Sequence, residues 1–114
     1  MIMRKLNETA VMKNIHNVDA RNLYDKKDAM ITVITLHPGQ RLKRHITPVD
    51  VAFYVLEGTG VVEIGEEKVE VSRDTFVDSP KGIMHCWYNE SDDILKFMVV
   101  KAPKPLEKTV IVED

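Results

Sequence analysis

The 114-residue chain has a single cysteine, Cys86. One thiol cannot close an internal disulfide or build a cysteine-rich zinc site, which points to a reducing compartment. The chain also has no excess of either charge: 16 Lys and Arg stand against 18 Asp and Glu, a formal net charge of −2. That balance gives neither nucleic acid nor an anionic membrane an electrostatic hold. No window is apolar over the length of a bilayer span, and the opening MIMRKLNETAVMKN has no apolar run of signal-peptide length. Internal repeats, low-complexity linkers and long helical periods are missing as well. These absences leave a soluble, cytoplasmic protein of one domain, with enough chain for one core.

The sequence does carry short β-patterned runs. MITVITL, starting at Met30, is rich in β-branched residues and stops at the Pro-Gly turn of HPGQ. RLKRHIT reads as a further strand ended by Pro48, and VAFYVLEG as the next. GVVEIGEEKVEVS is the clearest hairpin: Val62 and Ile64 alternate with Glu63, Val69 and Val71 alternate with Lys68 and Glu70, and Gly65-Glu66 supplies the turn. TFVDSP, IMHCWYN and ILKFMVV follow, and TVIV adds an edge strand near the C-terminus. Many short strands broken by frequent turn signals predict an all-β sandwich or barrel rather than an α/β fold. Residues 1–29 show no clean period, so the expected division is an N-terminal extension over 1–29 and a barrel over 30–114.

Two segments carry a resemblance. PGQRLKRHITPVDVAFYVLEG resembles the first motif of the cupin superfamily, G-x5-H-x-H-x3–4-E-x6-G, with Gly39, His45 and Gly58 in place. SRDTFVDSPKGIMHCWYN resembles the second, G-x5-P-x-G-x2-H-x3-N, with Pro80, Gly82, His85 and Asn89 in place. The resemblance implies a double-stranded β-helix, or jelly-roll, barrel. It also implies a homodimer, in which residues 1–29 would be either an edge strand or a strand exchanged between subunits. The departures fall on the metal site. The motif's second histidine is Thr47, its glutamate falls on Val51, and the opening glycine of the second motif falls on Asp74. Asp tolerates turn conformations, so the last change is mild.

Strand parity then defines a pocket. His45 and Thr47 share a face, as do Val51, Phe53 and Val55, and His85 shares one with Trp87 while Cys86 turns away as an inert thiol. Thr47, Val51, Phe53 and Trp87 are the expected pocket residues. His45 and His85 are the expected ligands of a divalent metal (zinc, iron, manganese or nickel), with Asp50 the nearest carboxylate although its parity points outward. His16 and His37 lie outside the motifs. Three functions compete: a metal-dependent enzyme on a small molecule, a non-catalytic metal-free module that binds or senses a small organic ligand, and metal-free acid–base chemistry by a histidine.

Overall fold

The computed structural model describes residues 1–113. After a short 3₁₀ turn at Leu6–Glu8, the chain runs through ten strands: β1 (Asp19–Lys26), β2 (Ala29–Leu36), β3 (His45–Ile46), β4 (Val51–Glu57), β5 (Thr59–Ile64), β6 (Glu67–Ser72), β7 (Phe76–Ser79), β8 (His85–Tyr88), β9 (Leu95–Lys101) and β10 (Val110–Ile111). They form two five-stranded antiparallel sheets, ordered β1-β2-β9-β4-β7 and β10-β3-β8-β5-β6. The chain thus passes back and forth between the two sheets in a jelly roll, as the two motifs imply. No helix among the described residues is long and apolar enough to cross a membrane.

Alternation places the core between the sheets. Val51, Phe53 and Val55 of β4 and Leu95, Phe97 and Val99 of β9 are buried on one side. Val62 and Trp87 meet them from the other sheet, with the Trp87 ring stacked on Phe97 at 4.3 Å between centroids. Two turns depend on backbone handedness. Gly58 joins β4 to β5 at φ 83°, and a Cβ there would sit 2.2 Å from the Ile94 carbonyl oxygen. Asp74 takes φ 65°, so it occupies the left-handed conformation that the motif's glycine would fill.

One segment specifies what the sequence left open, and a second differs from the expected strand. Residues 19–26 form β1, which pairs with β2 from Asp19↔Thr35 to Lys26↔Ala29 as an edge of the chain's own first sheet. A register shift between Asn22 and Tyr24 breaks the two-residue period, and only Ala20 of this strand is buried, so no alternation was visible. RLKRHIT, expected as one strand, pairs regularly only at His45–Ile46. Arg41 makes an isolated bridge to Tyr88, and Leu42 N–H donates to the Trp87 carbonyl. Between these points, the backbone of Lys43 leaves the ladder and bonds to side chains instead.

Candidate functional site

Those side chains are two histidines. Lys43 N–H donates to Nδ1 of His16 at 2.9 Å, while the Lys43 carbonyl accepts from Nδ1 of His45 at 2.6 Å. One residue's backbone therefore orients both rings and fixes opposite tautomers. His16, with Nδ1 accepting, carries its proton on Nε2; His45, with Nδ1 donating, leaves Nε2 bare. His45 lies directly opposite His85 across β3 and β8. Ring centroids stand 4.4 Å apart for His45–His85 and 4.6 Å for His16–His45.

His16 is the ring that sequence reasoning left outside the site. It sits in a turn built by Asn14, whose amide donates to the carbonyls of Met12 and Val18 and whose Oδ1 accepts from the N–H groups of His16 and Val18. Asn17 closes the turn at φ 56°, a conformation Asn tolerates better than most residues. The sequence hint was NIHN, an Asn-flanked histidine, but no local pattern says that such a turn brings its ring to His45.

His85 is held differently. Ser79 Oγ bonds Nδ1 at 2.6 Å and Thr47 Oγ1 bonds Nε2 at 3.2 Å, and all three residues are buried. A hydroxyl donates or accepts, so this ring can adopt either tautomer. Ser79, absent from the sequence reading, comes from β7, where it faces Val51 of β4.

The three rings border a cavity of about 180 Å³ whose walls include Ile34, Val51, Phe53 and Val99. Lys101 also lines it. This lysine closes the inward series Leu95, Phe97, Val99 on β9, a central strand, with Met30 opposite on β2 and Val51 opposite on β4. Its parity is readable in ILKFMVVK, but Lys101 is also the first residue of KAPKP, whose two prolines interrupt the strand. No ion pair or side-chain hydrogen bond engages its ammonium among the described residues.

The other expected site residues fall in different places. Val51 and Phe53 line the cavity, whereas Thr47 reaches the site through His85. Trp87 lies outside the lining, packed on Phe53 and Phe97 in the core with Nε1 unpartnered among the described residues. Asp50 is exposed and accepts from the Lys81 N–H at 2.8 Å, so its carboxylate ties two loops instead of joining the histidines. Regular alternation holds at Val51, and that turns its neighbour outward. Cys86 is buried on the opposite face of β8 beside Glu63, and burial raises its thiol pKa to about 11, that of an inert group.

Burial dominates the electrostatics. It lowers His85 to about 3, with the charges of His45, Lys101 and His16 adding to the effect. It lowers His16 to about 4, with His45, Lys43 and Lys101 adding to the effect and Glu113 opposing it. His45 is lowered chiefly by burial, and Lys101 is lowered by burial alone. At neutral pH the site is thus three neutral imidazoles beside one lysine.

The family profile described as Cupin domain matches residues 32–101. No functionally curated protein matches the chain. Among solved structures it is similar to TT1209 of Thermus thermophilus, with 29% identity and TM-score 0.79 over 92% of this chain and 100% of that one. A conserved protein with a double-stranded β-helix domain from Klebsiella pneumoniae matches at 18% identity and TM-score 0.82, over 98% and 97% of the two chains. The polyketide cyclase RemF of Streptomyces resistomycificus matches at 17% identity and TM-score 0.87, over 100% of this chain and 87% of that one. At those last two identities the likeness speaks for the fold. The profile spans well over half of the chain and takes in both histidine-bearing motifs, and so the protein belongs to the cupin domain family.

Proposed function

We propose that this cupin barrel binds a small organic molecule in the cavity beside His16, His45 and His85, and that this molecule, not a divalent cation, engages the histidines. The observation that carries the reading is Lys101, an inward lysine with no counter-charge in a lining that, among the described residues, contains no Asp or Glu.

A resident metal suits this donor set poorly. His45 offers Nε2, and His85 offers Nε2 when Nδ1–H points to Ser79. His16 does not, because its Nε2 is protonated while Nδ1 accepts from Lys43. Among the described residues, no three or more His, Cys, Asp or Glu side chains are grouped to hold a metal. Two imidazoles would leave the double charge uncompensated within the lining, Glu113 being taken by the Arg41 guanidinium and the Arg44 N–H, and the nearby lysine would repel it. The depressed histidine pKa values also favour binding over general-base chemistry, since an imidazole at about 3 or 4 is a weak base at pH 7.

The test is thermal denaturation and calorimetry of protein purified without chelator, titrated with zinc, manganese, nickel and iron(II) and separately with a panel of small organic acids, alcohols and amides. A ligand that binds the native state must raise its melting temperature. The expected result is stabilisation by an organic compound and none by a metal. Stoichiometric metal binding that is lost in both His45→Ala and His85→Ala would overturn the reading.

A further inference from the structure

We infer that the ligand of this cavity is a small hydroxy-carboxylate: Lys101 and His16 Nε2–H donate to the carboxylate, and His45 Nε2 accepts a hydrogen bond from the hydroxyl. The inference rests on the organic-ligand reading above and adds a chemical class to it.

Three observations carry the class. The first is the pair of tautomers fixed by Lys43. One cavity presents a ring N–H donor from His16 and a bare ring acceptor from His45, with ring centroids 4.6 Å apart. Among the described residues, the hydrogen bonds of these two rings run through Nδ1 and leave both Nε2 atoms unengaged. Among the same residues only Trp87 Nε1 is both sealed from solvent and without a partner, so the two Nε2 atoms open on accessible space. A bare acceptor selects a ligand with a donor, and a carboxylate alone has none. The second is Lys101, placed by strand parity on the inner face of the sheet between Met30 and Val51, where a cation with no counter-ion is matched by an anionic ligand group. The third is size and lining. A cavity of about 180 Å³ walled by Ile34, Val51, Phe53 and Val99 is slightly larger than the roughly 150 Å³ apolar cavity known to admit benzene. The organic body is therefore about one ring or a short branched chain.

An anion in this place also changes the site. A negative charge beside the three rings favours their protonated forms and opposes the depression imposed by burial. Binding should therefore raise the histidine pKa values, a signature that packing of an apolar molecule would not give.

The experiment measures binding to ligand-free protein by calorimetry with three matched sets: lactate, propionate and lactamide; 3-hydroxybenzoate, benzoate and 3-hydroxybenzamide; and 2-hydroxyisovalerate, isovalerate and 2-hydroxyisovaleramide. In at least one set the hydroxy acid should bind roughly ten- to a hundred-fold more tightly than the amide, as expected for a hydrogen bond to a charged group. Lys101→Met should abolish that advantage, and His45→Leu should abolish the preference for the hydroxy acid over the plain acid. Long-range ¹H–¹⁵N spectra of the free protein should show the Nε2–H form of His16 and the Nδ1–H form of His45. Amides that bind as well as their acids would overturn the carboxylate class while leaving the organic-pocket reading intact. Plain acids binding as well as hydroxy acids, or an Nε2–H tautomer at His45, would overturn the role of the hydroxyl. Binding by none of the acids would overturn the inference, and if a divalent metal bound instead, the underlying reading would fall with it.

Discussion

Replacing Lys101 by Met should make the ligand-free protein more stable. The side chain enters the barrel from the inner face of β9, a central strand, and meets no acid among the described residues. Burial lowers its pKa, which means that the fold disfavours the ammonium relative to water. Met has a similar length, keeps the apolar contacts of the stem, and packs beside Met30 and Val51 without a charge. Replacing buried ionic groups by packed apolar residues ranges from neutral to about 4 kcal/mol of stabilisation, and Lys101 is only half-buried, so the expectation sits in the lower half at about 1–2 kcal/mol. For a domain of this length, that corresponds to a rise in melting temperature of roughly 4–8 °C. The assay is urea and thermal denaturation at pH 7 on protein stripped of ligand, with Lys96→Met, on the outward face of the same strand, as the control expected to stay within about 0.5 kcal/mol of the parent. The pH profile gives a second reading. A lysine with a lowered folded pKa binds fewer protons folded than unfolded, so the parent should gain stability as the pH rises from that folded pKa towards 10.5, and Lys101→Met should not. A destabilised Lys101→Met would refute the reasoning, because it would show that the fold satisfies the ammonium and that the lysine is structural.

The histidines should make the fold acid-sensitive. His85 titrates at about 3 folded against 6.5 unfolded, so its contribution is intact above 6.5 and is lost as the pH falls below 6.5 towards 3. By about pH 4.5 this one group should have cost roughly 2–3 kcal/mol, read from urea unfolding across the pH range; an NMR titration midpoint for His85 above 6 would contradict it. At the β4–β5 turn, Gly58→Ala forces a Cβ to within 2.2 Å of the Ile94 carbonyl oxygen at a positive φ. It should lose more than about 2 kcal/mol by chemical denaturation, and near-parental stability would mean that the turn can relax.

The chain's local chemistry made most of the strands legible. MITVITL, VAFYVLEG, the Val62–Val71 hairpin and ILKFMVV each carry a two-residue or β-branched pattern, and each is a strand or hairpin in the structure. Where alternation fails, the sequence left the element open or marked too long a strand. The strand β1 is an exposed edge with a bulge, and the segment around Lys43 gives its backbone groups to two histidine rings. His45 and His85 were legible because the motif spacing marks them, while His16 lies 29 positions before His45, in a turn whose order comes from Asn14.

The sequence by itself determined the barrel, its two motif histidines and the apolar face of β4. Those follow from a two-residue period and from turn residues, both local properties. Only the tertiary structure decided what the site is. It turned Asp50 outward, brought His16 beside His45 and placed Lys101 in the same cavity as three neutral imidazoles. Charge and protonation at a site depend on which groups face the same small volume and on how much water they have lost, and strands far apart in the chain settle both.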